Sequence, residues 1–286
     1  YQITSDEKVI FPVTVQANGS AVYTIKAGIP QECPVKACGR YYPERVDDVA
    51  WENDLTAFRA YGPALQETGE RAFGYDIWTK YNTTEPVVEA RYEGELNSDM
   101  IAELGKTDPK AAQELYRSVS YHVDHGNGLD CYKVGPTLGG GTTALMAGDT
   151  IIYPYCYATQ EILDNGPLRF TVKLVYNPLV VKGDSTIIET RIITLDAGSY
   201  CNKTVVSYTN LKETMPLAVG IVLHEPDGAI VADAANGYMT YVDPTDNAGG
   251  DNGKIFVGAA FPTLVKEAKA VLFPEKEKKE LRGGAD

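Results

Sequence analysis

Short runs of β-branched and aromatic residues, separated by turn-forming residues, recur along most of the chain. Runs rich in Val, Ile, Thr and Tyr are typical of strands, and Gly, Pro and Asn mark the turns between them. The predicted strands are Val9–Val15, Ala21–Ile25, Val87–Tyr92, Thr150–Ala158, Leu168–Tyr176, Ser185–Leu195, Thr204–Tyr208 and Ala218–Leu223. Strands at a spacing of roughly 10 residues favour a β-sandwich or barrel.

Two consecutive helices interrupt this pattern. Ser98 is positioned to cap a helix over Asp99–Leu104. Asp108 followed by Pro109 is typical of the first positions of a second helix, Lys110–Arg117. The sequence therefore predicts an all-β fold, a large two-sheet β-sandwich with a short helical insertion.

The 286 residues provide enough apolar material for one large domain, which we predict to span residues 1–286. Large sandwiches curve, and the concave face of a curved sheet is a natural cleft for a ligand. Thr263–Phe273 is compatible with strand or helix, and the charged segment Pro274–Leu281 is expected in solvent. The chain then ends without a closing apolar element, so we expect a sandwich truncated at its C-terminus.

The charge balance and the hydropathy pattern exclude two classes of partner. Lys and Arg number 26 against 39 Asp and Glu, a net charge of −13, which disfavours nucleic-acid binding. No run approaches the roughly 20 apolar residues of a membrane-spanning helix. Residues 1–6 lack the features of a signal peptide, which is compatible with a cytosolic protein or a mature exported one. The oligomeric state is not predicted.

The five cysteines leave their pairing open. An odd number prevents complete internal pairing, and the spacing of Cys33 and Cys38 fits either a loop disulfide or two thiols. The spacings do not match a zinc site of paired cysteines. We interpret Cys131, Cys156 and Cys201 as small buried apolar residues.

The segment of residues 39–62 is dense in polar and aromatic side chains, and we interpret Val49–Tyr61 as one continuous strand. Its two faces would carry Trp51, Asn53, Leu55, Ala57, Arg59 and Tyr61 on one side, and Glu52, Asp54, Thr56 and Phe58 on the other. An aromatic ring beside amide and guanidinium donors suits a sugar or a carboxylate. The alternative is an ion-paired sheet face, in which Arg59 meets a carboxylate from a neighbouring strand.

Histidine is scarce, and two of the three histidines lie close together in the segment of residues 120–143. His122, Asp124 and His125 precede a glycine-rich turn, where the main chain can approach a ligand closely. A proton-transfer site, a metal site and a structural cluster oriented by Asp124 remain open. The third histidine, His224, follows an apolar strand and is either packed or catalytic. The acidic segment Asp243–Asn252 fails the EF-hand spacing and is interpreted as a solvated loop, with calcium binding as the less favoured alternative.

Four longer segments resemble a bacterial family of unknown function found among polysaccharide-utilisation genes. They are PERVDDVAWENDLTAFRAYGPALQ (Pro43–Gln66), FGYDIWTK (Phe73–Lys80), SYHVDHGNGLDCYKVGPTLGGG (Ser120–Gly141) and LDNGPLRF (Leu163–Phe170). The resemblance implies a sandwich similar to galactose mutarotases (a supersandwich) and export to the periplasm or the extracellular space. A relative described as a dehydratase of ulvan oligosaccharides implies removal of water from a terminal uronic acid. Members usually continue past Asp286 with further strands.

The residues and the resemblance together predict β-elimination, by a dehydratase or lyase, on an oligosaccharide that contains uronic acid. An arginine, Arg59 or Arg40, neutralises the uronate carboxylate, and His122 and His125 serve as base and acid. Tyrosines can share the proton transfer, with Tyr121, Tyr41 and Tyr61 as candidates. The expected substrate contacts are Arg40, Trp51, Glu52, Asn53, Asp54, Tyr61, Lys80, Asp124, Lys133 and His224. Arg45 adds a further local positive charge, which the acidic chain needs around a uronate.

No cofactor is expected, and a divalent metal held by His122 and His125 is the less favoured alternative. Two other functions remain open. The first is a mutarotase or isomerase in which Glu189 or Glu52 is the base. The second is a carbohydrate-binding protein without catalysis.

Overall fold

The computed structural model describes residues 1–29, 31–225, 229–245, 252–262 and 265–271. The predicted turn Pro226-Asp227-Gly228, the charged segment Pro274–Leu281 and most of the acidic loop after Thr245 lie outside these ranges. The predicted element Thr263–Phe273 lies partly outside them.

The described residues form seventeen strands and four α-helices. The strands are β1 (Gln2–Ile3), β2 (Val9–Ile10), β3 (Ala37–Tyr42), β4 (Asp48–Asn53), β5 (Thr56–Ala60), β6 (Asp76–Thr79), β7 (Gly140–Ala147), β8 (Thr150–Ile152), β9 (Tyr157–Asn165), β10 (Arg169–Tyr176), β11 (Leu179–Val181), β12 (Asp184–Asp196), β13 (Lys203–Thr209), β14 (Leu217–Ile221), β15 (Ile230–Asp233), β16 (Tyr238–Asp243) and β17 (Ile255–Ala260). The helices are α1 (Pro63–Glu67), α2 (Val88–Glu95), α3 (Ser98–Gly105) and α4 (Pro109–Val119).

Two antiparallel sheets face each other and form the sandwich. The first has the order β3-β4-β5-β6, and the second has the order β11-β12-β10-β9 with β13 also paired to β12. The main core lies between them, where Trp51 stacks on Phe58 and on Phe170, with ring centroids 5.9 and 6.3 Å apart. Tyr75 meets the edge of the same indole. The structure therefore confirms an all-β sandwich.

The helical insertion covers the outer face of the β3–β6 sheet. Trp78 of β6 packs against Tyr92 of α2 and against Tyr121, which follows α4, with ring centroids 5.3 and 4.8 Å apart. Both faces of this sheet are consequently buried. Its strands therefore carry buried residues on both faces and show no simple alternation of polar and apolar residues.

Smaller antiparallel sheets complete the fold. They have the orders β14-β7-β8, β15-β16-β17 and β1-β2. Tyr132, Val134, Ile255 and Val257 form a separate cluster where β17 meets the segment that precedes β7. Among the described residues, no helix has the length and apolar character needed to cross a membrane.

Most of the predicted elements are present. The second half of the chain confirms four strands closely, as β10, β12, β13 and β14, and Thr150–Ala158 is divided between β8 and the start of β9. Of Val9–Val15, only Val9 and Ile10 are in a strand, and Ala21–Ile25 is in none. The prediction of a strand at Val87–Tyr92 is wrong, because helix α2 begins there.

Both predicted helices exist, with one capping residue corrected. The Asp108 carboxylate accepts a hydrogen bond from the Ala111 N–H at 3.0 Å, so Asp108 caps α4 as predicted. Ser98 is the first residue of α3, and Asn97 occupies the N-cap position without a side-chain hydrogen bond.

The interpretation of Val49–Tyr61 as one continuous strand is also wrong. The segment is a hairpin of β4 and β5, with Trp51 opposite Phe58 and Ala50 opposite Arg59. The turn changes which residues share a face, because β4 ends at Asn53 and a separate strand, β5, begins at Thr56. Trp51 and Asn53 face the second sheet, whereas Arg59 lies on the face covered by the helices, where its ion-pair partners also lie.

No disulfide joins any two of the five cysteines. Cys131 and Cys156 are buried, as predicted, whereas Cys201 is exposed, which corrects its assignment as a buried residue. Burial raises the pKa of the Cys38 thiol to about 11.

Candidate functional site

Three adjacent strands place a buried arginine between two aspartates. Arg59 of β5 lies opposite Asp76 of β6, and its guanidinium Nε is 2.9 Å from the Asp48 carboxylate of β4. The Arg59 Nη1 atom is 3.6 Å from an Asp76 oxygen. These side chains are almost completely buried, so each charge depends on the others for compensation. The ion-paired sheet face considered from the sequence is therefore present.

Two guanidinium groups converge on the hydroxyl of Tyr121. Arg59 Nη1 donates to it at 3.2 Å, and Arg45 Nη2 donates to it at 3.1 Å. Burial raises the pKa of Tyr121 in spite of the positive charge of Arg59. The phenol consequently stays protonated and is held in place by two cations.

His122 follows directly and lies at the surface above this cluster. The rings of Tyr121 and His122 have centroids 4.6 Å apart, and the His122 side chain is 43% exposed. Its Nδ1 atom is 3.3 Å from the Asp130 main-chain oxygen and 3.6 Å from the Asp130 carboxylate. Ionised carboxylates and carbonyls only accept hydrogen bonds, so Nδ1 carries a proton and Nε2 holds the lone pair of the neutral ring.

His125 also contacts a main-chain oxygen, but it does so through Nε2, whereas His122 uses Nδ1. Its Nε2 atom is 3.0 Å from the Ser120 main-chain oxygen, so Nε2 carries the proton and Nδ1 holds the lone pair. Asp124 does not orient either histidine by a hydrogen bond. One oxygen of its carboxylate accepts from the N–H groups of Gly126 and Gly128, and it thereby shapes the turn of this loop.

The structure adds aspartates that the sequence did not single out. Asp76 accepts a hydrogen bond from the Trp78 indole N–H at 3.1 Å, and its other oxygen is buried without a hydrogen-bond partner among the described residues. Burial raises the pKa of Asp76. Asp48 and Asp130 were missed as well. The one available sequence signal was the polar residue in FGYDIWTK, which marks a buried carboxylate within a strand.

Comparison with known proteins gives the family. A model of the domain of unknown function DUF4861 matches residues 1–283. The chain belongs to the DUF4861 family. A search of curated proteins found the uncharacterised protein P7 of Formosa agariphila, 28% identical over 224 residues. The match covers 76% of this chain and 51% of P7, so the chain spans about half the length of that relative. No solved structure matches.

In this DUF4861 chain, Glu52 and Lys80 form a buried ion pair that supports the helical layer. This layer is the helical insertion of α2, α3 and α4 that covers the β3–β6 sheet. Their charged atoms are 2.7 Å apart, and Lys80 also donates to the Asn53 main-chain oxygen. The Glu52 carboxylate accepts from the N–H groups of Val87 and Val88, each at 2.9 Å. Both side chains predicted to contact substrate are thus occupied in anchoring the N-terminus of α2.

Trp51, Asn53 and Asp54 support the sandwich. The Trp51 indole donates to the Asn202 side chain at 2.8 Å. Asn53 donates to two main-chain oxygens before β13, and Asp54 accepts from the Gly198 N–H at 2.7 Å. These contacts connect the β4–β5 turn to the loop before β13.

Arg40, Tyr61 and Tyr41 lie in three other sets of contacts. Arg40 is partly exposed and pairs with Glu89 and Glu44. The Tyr61 ring lies under the Arg59 guanidinium, 4.1 Å from its centroid, and Tyr41 donates to Asp47.

His224 and Lys133 lie together. The His224 Nδ1 atom is 2.5 Å from the buried Asp243 carboxylate, and its Nε2 atom is 2.6 Å from the Lys133 main-chain oxygen. Both ring nitrogens are thus in contact with protein oxygens. This arrangement connects β16 to the segment that precedes β7.

Metal binding has no ligand set in the part of the chain that the structure describes. Within those residues, no three His, Cys, Asp or Glu side chains are grouped as metal ligands. His122 and His125 instead each contact a main-chain oxygen. Both imidazoles are therefore held in place by contacts with the main chain.

Proposed function

We propose that this chain is an exported carbohydrate-active enzyme that performs β-elimination, as a dehydratase or lyase, on oligosaccharides that contain uronic acid. The proposal depends on one observation. Two exposed histidines in one loop each use one ring nitrogen on a main-chain oxygen, which leaves the other nitrogen for a substrate. The resemblance of residues 43–66 and 120–141 to a polysaccharide-utilisation family supports the choice of substrate class.

His122 is assigned as the base. Nε2 takes the C5 proton of the uronate while the C4–O4 bond breaks and a C4–C5 double bond forms. The Asp130 carboxylate lies beside Nδ1, where it stabilises the imidazolium that results. For this step His125 has to start as an imidazolium, in which Nδ1 carries a second proton, and it donates that Nδ1 proton to O4. Water leaves in a dehydratase, and a sugar leaves in a lyase.

The substrate carboxylate has to be neutralised before the C5 proton becomes acidic, and Arg45 is assigned to this role. Arg59 is already in contact with two buried carboxylates, so it acts by holding Tyr121. Arg45 is half-buried and contacts the same hydroxyl, and no carboxylate of the described residues lies within ion-pair distance of it. A guanidinium in this position can form a bidentate contact with a uronate.

The test is to incubate the protein with a panel of oligosaccharides that end in uronic acid and to measure the absorbance of the unsaturated product. His122→Gln and His125→Gln should each lower the rate by about 100-fold or more, the usual contribution of a positioned acid or base. Lys110→Gln is the control, because Lys110 is 87% exposed on α4 and takes no part in the site. It should retain the rate of the unchanged protein.

Other outcomes would identify a different function. Anomer exchange seen by NMR without an absorbing product would indicate a mutarotase, and binding without turnover would indicate a carbohydrate-binding protein. The bases considered for a mutarotase are occupied. Glu189 is completely buried and contacts Arg191 at 2.5 Å and Tyr208 at 2.8 Å, and Glu52 is paired with Lys80.

A further inference from the structure

Arg91 of α2 is a buried cation, 7% exposed, and no carboxylate of the described residues lies within ion-pair distance of it. Arg59 and Arg191, which are also buried, each contact a carboxylate directly. A buried charge is costly unless it is paired. Burial accordingly lowers the pKa of Arg91, although the charges of Glu52 and Asp130 act in the opposite direction. The position of Arg91 therefore needs a reason other than an ion pair.

The Arg91 guanidinium connects α2 to β6 and to the loop that carries both site histidines. We call this loop, residues 120–130, the histidine loop. The Nη2 group donates to the main-chain oxygens of Thr79, at the end of β6, and of Asn127, in the histidine loop, at 3.2 and 3.1 Å. The guanidinium carbon lies 5.7 Å from the centroid of the Trp78 ring. A planar guanidinium can hold two acceptors in a fixed geometry, whereas an ammonium acts as a point charge.

The histidine loop approaches the end of β6 closely at this contact. The Leu129 N–H donates to Thr79 Oγ1 at 3.0 Å, and the Thr79 N–H donates to the Leu129 oxygen at 2.9 Å. Gly128 has a φ of 97°, and a Cβ atom there would collide with the Thr79 oxygen. The same oxygen accepts from Arg91. Arg91 therefore binds the loop where it meets the strand, two residues after His125.

Stability alone does not explain a charge at this place. The Arg91 Nη1 atom is buried without a hydrogen-bond partner among the described residues. Replacing buried charged groups by apolar side chains of similar volume is often neutral for stability. Such a side chain could pack beside Trp78, but it could not bind the Asn127 oxygen. The guanidinium thus adds a fixed position for the histidine loop.

We propose that Arg91 is a positioning residue, which holds the histidine loop so that His122 and His125 keep the separation that the elimination needs. This inference rests on the proposed function. Arg91 is buried and acts through the main chain of the loop, so it does not contact the substrate. A displacement of about 1 Å caused by a distant substitution can lower a rate by roughly 100-fold. The loss should therefore appear in kcat, with KM nearly unchanged.

The kinetic test compares Arg91→Met with Arg117→Met, a control in which the arginine is exposed on α4. On an oligosaccharide that ends in uronic acid, Arg91→Met should lower kcat by about 100-fold at nearly the same KM. Arg117→Met should retain both constants. The urea midpoint of Arg91→Met should stay close to that of the unchanged protein, because an unpaired buried charge is removed together with its hydrogen bonds.

Hydrogen exchange measures the position of the loop without any substrate. The Leu129 N–H donates to Thr79 Oγ1, and the Asp130 N–H donates to the Tyr121 oxygen at 2.9 Å. In Arg91→Met, both N–H groups should exchange about 10-fold faster or more, whereas those of β10 should be unaffected. If the unchanged protein converts no uronate, the proposed function fails, and this measurement decides whether Arg91 holds the loop. Unchanged exchange at both N–H groups would overturn the proposal.

Gly128→Ala tests the same contact from the loop side, with the charge of Arg91 in place. Its Cβ atom should displace the loop from Thr79 and lower kcat in the same way. Full kcat in Arg91→Met or in Gly128→Ala would contradict the positioning role. The proposal also fails if Arg91→Met does not fold, or if its urea midpoint falls as far as that of Arg191→Met. The second substitution leaves Glu189 buried without its partner, so a fall of that size would make Arg91 a residue of structural stability.

Discussion

Glu52 and Lys80 show how single buried charges position the helical layer. The two side chains are 4% and 1% exposed, and each has further hydrogen bonds to main-chain groups. Burying a charge is costly unless it is paired and its hydrogen bonds are satisfied. Removing one partner therefore leaves the other without compensation, whereas replacing both can be nearly neutral.

We predict that Glu52→Gln lowers the free energy of unfolding by about 3–5 kcal/mol, because Lys80 is left buried without a counter-charge. Urea denaturation followed by circular dichroism measures this. Glu161→Gln is the control, because its pair with Lys173 is exposed and should contribute less than about 1 kcal/mol. The double variant Glu52→Leu and Lys80→Met should recover part of the loss. Equal stability of Glu52→Gln and Glu161→Gln would contradict the structural role.

Individual site residues were predictable to different degrees. His122 and His125 could be found because histidine is rare in the chain and both lie in one glycine-flanked segment. Asp76 could be recognised as a polar residue within a strand, but its pairing with Arg59, and that of Asp130 with His122, depends on strand register and loop packing. The residues that flank Asp76 and Asp130 in the sequence do not indicate this register or packing.

At the scale of elements, the β4–β5 hairpin shows why strand faces were assigned wrongly. The turn has no Gly or Pro, and its signal in the sequence is the turn-forming pair Asn53 and Asp54, which the single-strand interpretation did not use. In the structure, the Asn53 side-chain oxygen accepts from the N–H groups of Leu55 and Thr56 at 2.8 and 3.0 Å. Asn53 therefore closes the turn itself, as asparagine commonly does. The break moves Arg59 to the opposite face from Trp51.

Helix α2 shows a second limit of local sequence. Val87–Tyr92 contains β-branched and aromatic residues, which favour a strand when taken alone. The helix begins there because the Glu52 carboxylate, 35 residues earlier, accepts from the first N–H groups of the helix. A negative charge at a helix N-terminus is stabilising. Tertiary contacts, and not the local strand propensity, therefore determine that this segment is helical.

Helix α4, by contrast, has its start encoded locally, and this can be tested. Asp108→Ala removes the hydrogen bond to the Ala111 N–H and should destabilise the protein by about 1 kcal/mol. Urea denaturation measures the size of this destabilisation, and hydrogen exchange should show faster opening of α4. Asp99→Ala is the matched control in α3, since no capping hydrogen bond is lost there. A loss of similar size in both variants would argue against the cap.

At the scale of the whole molecule, the β3–β6 sheet connects two layers. One face packs on the second sheet through Trp51, and the other packs under the helices through Trp78. Both indoles are completely buried. The candidate site lies on the helical side, and the sandwich on the other side fixes the strands from which Asp48, Arg59 and Asp76 project. Folding of the site should therefore depend on folding of the sandwich.

This dependence predicts one cooperative unfolding transition, and the two tryptophans report on its two layers. In Trp51→Phe, the remaining Trp78 fluorescence follows the helical layer, and in Trp78→Phe the remaining Trp51 fluorescence follows the sandwich core. Within each variant, fluorescence and far-UV circular dichroism should have the same urea midpoint, because coincident probes are the mark of a two-state transition. A Trp78 transition at clearly lower urea than the dichroism transition would show a helical layer that unfolds independently. In that case, the site would be lost while the sandwich persists, and the single-domain interpretation of the chain would fail.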